Sequence, residues 1–348
     1  MNCFKSNGKF LLTGEYLVLK GATALALPLR LGQSMNVETL DSDEGKIYWD
    51  AYIKSTRQQV TKITSRDASM IPMKLTNIDT SEQVNETTNW FSVVLDKNDF
   101  SVKESDDFEK AKRLSDILSK AKSLNENIFN DSHDYRFSTY LDFNPQWGLG
   151  SSSTLINNIS EWADINPYQL LEMTFKGSGY DIACAKANGA IFYRVNESRA
   201  ADFNPSFKDN LYFVYQGHKQ NSANEVKAFL DKEKSYDDEV MKISEITETI
   251  CHVDDYNSFC NLIKNHEEIM ERVLNRKRIK SCYPDFEGEM KSLGAWGGDF
   301  FMAATEWDDD KVIEYFRNKG LDVIFKYNDI ILNREIEINS NPLTPLIL

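Results

Sequence analysis

Glycine and hydroxyl residues crowd one stretch, Trp147-Gly148-Leu149-Gly150-Ser151-Ser152-Ser153-Thr154, set between an extended run at 137–143 and a helical period beginning near Leu155. Glycines at 148 and 150 remove side chains, so backbone N–H groups can approach an oxyanion. The first N–H groups of the following helix lack internal partners, and the helix dipole adds positive potential. A turn of this kind is a phosphate site, its hydroxyls able to donate to a phosphate or to ligate magnesium. Taken alone, a serine-rich helix start is more often an ordinary N-cap.

Two further glycine-rich segments change that balance. One is Gly8-Lys9-Phe10-Leu11-Leu12-Thr13-Gly14-Glu15-Tyr16-Leu17-Val18-Leu19, followed by Gly21 and an apolar run; the other is Gly294-Ala295-Trp296-Gly297-Gly298-Asp299. In their order and wide separation the three segments resemble the motifs of the GHMP kinases, the superfamily of galactokinase, homoserine kinase, mevalonate kinase and phosphomevalonate kinase. A fourth segment, Gly177-Ser178-Gly179-Tyr180-Asp181-Ile182-Ala183-Cys184-Ala185, is most similar to the phosphomevalonate kinase branch. Its Gly-Tyr-Asp-Ile-Ala string also matches a bacterial subgroup known by that signature.

The resemblance implies an α+β, two-lobed GHMP kinase fold. Its N-terminal, ribosomal-protein-S5-like domain would fall at 1–200 with the phosphate loop, and its C-terminal, ferredoxin-like α/β sandwich domain at 201–348. The family's ATP cleft lies between its lobes. The implied activity is an ATP-dependent small-molecule kinase acting on an anionic mevalonate-pathway acceptor, phosphomevalonate first and mevalonate second. Diphosphomevalonate decarboxylase, and an ATP-binding regulator without catalysis, are the alternatives on the same fold.

Phosphoryl transfer needs a positioned nucleophile, cations that neutralise the transferring group, and often a carboxylate near the acceptor. By resemblance Asp181 lies beside the acceptor oxygen as a base, and Lys9 pairs with it and with the reacting phosphate. On local sequence alone, Asp181 reads as an N-cap and Lys9 as a solvated surface cation. The resemblance also assigns Pro145, Gly148, Leu149, Gly150, Ser151, Ser152, Ser153, Gly297, Gly298 and Asp299 to ATP and its phosphates, with Ser152 the ligand of Mg2+. Glu15, Tyr16, Ser178, Lys219 and Ser222 are the implied acceptor contacts.

Three positions depart from the family pattern. Leu170 stands where mevalonate kinase has a glutamate eleven residues before the aspartate, so the second metal ligand has no assignment. Gln146 replaces a common glycine, and Trp296 interrupts the third motif, where its indole would pack over the phosphate turn, narrow the acceptor pocket or serve as ordinary core.

The bulk properties fit this reading. A chain of 348 residues, 41% hydrophobic and 27% charged, suits about two globular domains. A net charge of −14 argues against nucleic acid, whose phosphates demand a basic face. Five cysteines without a C-x-x-C pair and four scattered histidines point to reduced thiols and no zinc site. The apolar run at 22–31 is too short to span a bilayer and lacks the form of a signal peptide. The expectation is a cytoplasmic monomer or homodimer with a small anionic substrate and no membrane or nucleic-acid partner.

The elements that must hold these residues begin with strands at 10–12, 16–19, 24–29, 35–40 and 46–53. Helical periods follow at 108–125, 155–163, 168–175 behind Pro167, 224–230, and from Val240 through Val273. A polar stretch at 196–210 precedes a strand at 211–215, and a strand, helix and strand at 300–305, 311–318 and 321–327 close the α+β pattern.

Overall fold

The computed structural model describes residues 2–55, 86–217, 222–231, 234–294, 296 and 299–333. In chain order its first half runs β1 (Asn2–Thr13), β2 (Ala24–Leu40), β3 (Lys46–Ser55), β4 (Glu86–Asp96), β5 (Val102–Ser105), α1 (Phe108–Leu124), β6 (Asp134–Leu141), α2 (Ser151–Trp162) and α3 (Pro167–Thr174). There follow α4 (Tyr180–Ala185), β7 (Ile191–Arg194), β8 (Glu197–Ala200), β9 (Leu211–Tyr215), α5 (Ser222–Leu230), α6 (Asp237–Ile250) and α7 (Tyr256–Leu274). β10 (Glu289–Ser292), β11 (Phe300–Ala304), α8 (Asp309–Arg317), β12 (Ile324–Lys326) and α9 (Tyr327–Ile330) complete the α+β set.

Two compact units share the chain: Met1–Ser6, Leu31–Pro145 and Thr154–Phe175 form one, and Asn7–Arg30, Gln146–Ser153 and Lys176–Leu348 the other. In the first, β3 pairs antiparallel with β4 and parallel with β6, and the second half of β2 runs antiparallel to β6 from Gln33↔Leu141 to Leu40↔Asp134. The paired rings of Trp49 and Phe137 stack at 4.8 Å, and Trp162 meets Phe137 edge-on at 4.9 Å. α1 closes over this unit because Ala111, Leu114, Ile117, Leu118 and Ala121 recur on one face, while the Asp107 carboxylate caps its start by accepting from Lys110 N–H.

A buried polar network pins α2 within the same unit. Ser6 Oγ donates to Asn158 at 2.6 Å, Asn157 Nδ2 donates to Ser6 Oγ at 2.9 Å, and Thr154 Oγ1 donates to Gln33 Oε1 at 2.8 Å. Buried polar groups are tolerated only when so paired, and the pairing fixes the helix in rotation and translation.

In the second unit β10, β11, β9 and β12 form an antiparallel sheet in that order, over a core that includes Val214, Met290, Phe301, Val312 and Phe316. Phe10 of β1 stacks on Phe213 of β9 at 5.0 Å and meets Phe300 of β11 at 5.2 Å, which fixes the strand that carries Lys9. α4 packs through Cys184 with Leu11, Val18, Ala24 and Ile191.

Several sequence expectations change. Residues 16–19 are not a strand: a 3₁₀ turn spans Leu17–Lys20, closed by Val18 N–H to Gly14 O at 2.9 Å and ended by Gly21 at φ 98°. The two strands expected at 24–29 and 35–40 are one, β2. The polar stretch after 196 contains β8, and Glu289–Ser292 is a strand that the pattern did not suggest. No helix among the described residues is long and apolar enough to cross a membrane.

Candidate active site

The glycine turn, Lys9, Asp181 and Asp299 belong to one compact unit and surround one ammonium group. A 3₁₀ turn at Pro145–Trp147 leads into the loop, with Pro145 half-buried and Trp147 buried. Trp147 packs on Phe325 at 5.6 Å and on Tyr215 at 6.2 Å, and Tyr215 donates from its hydroxyl to Gln146 O at 3.2 Å. The loop therefore starts from a fixed point on the second unit's sheet.

Gly148 and Gly150 adopt φ of 70° and 98°, the left-handed region where a side chain is strained. Both positions are also crowded. A Cβ at 148 would lie 2.4 Å from Asp299 Cγ, and one at 150 would lie 3.0 Å from Ser153 Oγ and 3.2 Å from Lys9 Cγ. The absence of side chains lets Asp299 and Lys9 close against the loop. Lys9 N–H donates to Leu149 O at 3.0 Å, and its Nζ donates to Gly148 O at 3.4 Å.

The ammonium is held from three further directions. It lies 5.5 Å from the centroid of the Tyr180 ring, and Asp181 and Asp299 act on it electrostatically. Burial favours the neutral amine, but Tyr180, Asp181 and Asp299 outweigh it and hold Lys9 above its ordinary range. The Asp181 carboxyl is raised, burial being the largest cause and Lys9 opposing it; its Oδ1 accepts Ile182 N–H at 3.1 Å. Lys9, Tyr180 and Asp181 are half-buried and Asp299 is buried, so the first three keep an opening to solvent. A cation flanked by a raised carboxyl and a backbone loop can neutralise an incoming phosphoryl group while the carboxylate takes a proton.

At the start of α2 Ser151 is half-buried, Ser152 exposed, and Ser153 buried with its hydroxyl donating to Gly150 O at 2.9 Å. Ser153 thus stiffens the turn. Ser152 is the hydroxyl presented at the helix N-terminus, and a hard oxygen there suits magnesium, which keeps most of its shell as water and phosphate oxygen. Ser178 is half-buried, and its carbonyl accepts the Tyr193 hydroxyl at 2.5 Å. Gly297, Gly298, Lys219 and the side chain of Ser222 lie outside the described residues. Trp296 is buried, which fits core packing, and its carbonyl accepts from Arg276 Nη1 at 3.2 Å.

Glu15 departs from its expected place. Its carboxylate is 1% exposed and closed in by Lys291, Glu267 and His266, so it faces the interior rather than an acceptor. Tyr16 beside it is 7% exposed at φ 58°, its ring 5.5 Å from Phe229. Burial pushes the Tyr16 phenol up to about 12. Sequence reasoning missed Tyr180, Lys291, Glu267 and His266. The available signals were the position of Tyr180 next to Asp181 and a lysine inside the strand Glu289–Ser292, all four residues of which are buried.

Gly148→Ala adds left-handed strain of roughly 1–2 kcal/mol and forces Asp299 away. The apparent KM for nucleotide should rise by about tenfold or more, since displacements near 1 Å at a reacting centre reach about 100-fold; titration of ADP release against ATP checks it.

Burial, the largest cause, raises Glu15 from the ordinary 4.5 to about 7 against the pull of Lys291, so the folded protein binds the extra proton between those values. Stability from this group is present at low pH and is lost as pH rises through about 7. His266, held well below its ordinary value chiefly by burial, gives the opposite slope below 6.5. Comparison with Glu15→Gln isolates the carboxyl: thermal melts should show the variant gaining on the wild type as pH rises from 4.5 to about 7.

No family model matches the chain, and no curated protein matches its sequence. Solved structures do. The mevalonate kinase of Methanococcus jannaschii superposes with a TM-score of 0.64 at 16% identity over 95% of this chain and 98% of that one. Streptococcus pneumoniae phosphomevalonate kinase, in complex with phosphomevalonate and AMPPNP, gives 0.61 at 14% identity over 94% and 100%. Lactococcus lactis galactokinase complexed with galactose gives 0.59 at 10% identity over 95% and 93%. All three are kinases of the GHMP superfamily, and the α+β fold they share is the fold of this chain.

Proposed function

We propose that this protein is an ATP- and magnesium-dependent kinase of GHMP type, cytoplasmic, acting on an anionic acceptor of the mevalonate pathway. Phosphomevalonate is the first candidate and mevalonate the second, with lobes at 1–200 and 201–348. The observation that carries the reading is the Lys9 ammonium, gathered by Gly148 O, Tyr180, Asp181 and Asp299 against a glycine loop at a helix start. The fold shared with mevalonate and phosphomevalonate kinases supports it.

In this mechanism the N–H groups of the loop and of the first turn of α2 bind the triphosphate. Magnesium, held by Ser152, the phosphates and water, would supply charge neutralisation between the phosphates. Lys9 meets the negative charge that develops on the transferring group. Asp181 takes the proton when the acceptor is a hydroxyl, and its raised carboxyl makes it the stronger base. A phosphate acceptor arrives ionised and relies on Lys9. Tyr16, Ser178, Lys219 and Ser222 are assigned to the acceptor.

Magnesium-dependent ADP release should be measured against mevalonate, phosphomevalonate, diphosphomevalonate, homoserine and several sugars, with carbon dioxide followed in parallel. Turnover of phosphomevalonate or mevalonate without carbon dioxide is the expected result. Turnover confined to a sugar or to homoserine, carbon dioxide release from diphosphomevalonate, or ATP binding without turnover on any acceptor would each reject it.

A further inference from the structure

The second unit buries four ionisable side chains that the mechanism above does not use. Lys291 and Glu267 have no exposed side-chain surface, nor does His266, and Glu15 is 1% exposed. Lys291 Nζ is paired with Glu15 Oε1, lies 3.2 Å from Glu267 Oε1, and donates to Ser292 O at 2.5 Å. Ser292 Oγ donates to Glu267 Oε2 at 3.2 Å. His266 Nε2 accepts Gly14 N–H at 3.2 Å, which leaves the imidazole neutral with its proton on Nδ1, and it lies 3.4 Å from Glu15 Oε2.

Stability alone does not account for such a group. Two carboxylates face one ammonium away from water, and buried ion clusters are often no better than packed apolar residues of the same volume. Its placement is more telling. Its members come from the turn after β1, from α7 and from β10, and each segment continues into the candidate site. β1 carries Lys9. The turn continues into Tyr16, whose φ of 58° and ψ of −48° persists only where the surroundings impose it. β10 leads to Trp296 and Asp299, and α7 leads to Arg276, which donates to Trp296 O.

We propose that the Glu15–Lys291–Glu267–His266 cluster is a positioning device that ties the Gly14–Glu15–Tyr16 turn to β10 and α7, and so sets where Tyr16, assigned above to the acceptor, stands. None of the four touches substrate; they act through Tyr16. Its phenol is buried against the backbone of Trp296, with Glu225 and Arg276 acting on it electrostatically, so the turn is also tied to the segment after β10. The catalytic consequence rests on the kinase reading, whereas the clamping of the turn does not.

The test replaces the charged set by a neutral one of similar volume, Glu15→Gln with Lys291→Met and Glu267→Gln. This avoids the uncompensated charge that a single substitution leaves, and Glu15→Gln alone is the conservative control. Hydrogen exchange at 14–18 is expected to accelerate by about tenfold or more as local opening becomes easier, while amides of β1 around Lys9 keep their protection. In turnover assays acceptor KM should rise about tenfold, with the dissociation constant of a non-hydrolysable ATP analogue within about twofold, as expected when only acceptor binding is loosened. Unchanged exchange at 14–18 in a folded variant overturns the proposal whatever the activity. Accelerated exchange in the variant, beside a wild type that turns over no acceptor, keeps the clamp and rejects the kinase reading. Accelerated exchange with unchanged acceptor KM overturns the positioning role.

Discussion

Lys9→Met is expected to lower acceptor-dependent ADP release by about 100- to 1000-fold, the loss seen when one preorganised group facing a developing oxyanion is removed. Methionine keeps the length and apolar stem, so contact with Gly150 survives. The ammonium makes a long hydrogen bond of 3.4 Å to Gly148 O and a further one with Tyr180, and its charge faces Tyr180, Asp181 and Asp299. Without it the Asp181 carboxyl loses the cation that opposes its burial and shifts further toward the neutral form. Folding should persist, because β1 is fixed by Phe10 on Phe213 and by Lys9 N–H to Leu149 O. Steady-state kinetics beside a thermal melt checks this. A folded variant with a kcat within about twofold of wild type would remove Lys9 from the chemistry.

Asp181→Asn carries a second large effect, and its size reports on the acceptor. General-base catalysis is worth about 100- to 10,000-fold, so a hydroxyl acceptor should lose that much. A phosphate acceptor, already ionised, should lose far less. The pH profile gives the sign. Burial, opposed by Lys9, raises the Asp181 carboxyl, so it stays protonated to higher pH than an exposed aspartate. With a hydroxyl acceptor kcat/KM should fall on the acid side as this group takes up its proton, and the Asn variant should lack that limb. An acid limb retained in the Asn variant would assign the titration elsewhere.

Lys9 and Asp181 are picked out only by the family motifs that their strings resemble, since on local sequence one reads as a solvated cation and the other as an N-cap. The backbone demands of the glycine turn can be read in sequence. So can α1, whose apolar residues repeat on one face under an Asp107 cap. Residues 16–19 show the limit of composition: Tyr-Leu-Val-Leu reads as a strand, yet Gly14 and Gly21 close it into a 3₁₀ turn. β2 was divided in two because Arg30 and Gly32 interrupt its apolar pattern, although pairing with β7 and then β6 keeps it extended. The buried cluster lay beyond reach, since Glu15 and Lys291 are separated by 276 positions and a lysine in sequence reads as solvated. Glu15 consequently looked like an acceptor contact when its partners turn it inward.

The most direct test of the central claim follows the γ-phosphoryl group itself. Wild-type protein and Lys9→Met are incubated with magnesium and ATP labelled in that group, with each acceptor in turn, and the label is traced in the products. Label is expected on a mevalonate-pathway acceptor, stoichiometric with ADP, and is expected to be lost in the folded variant. Label released only as inorganic phosphate, or transferred undiminished by Lys9→Met, would contradict it.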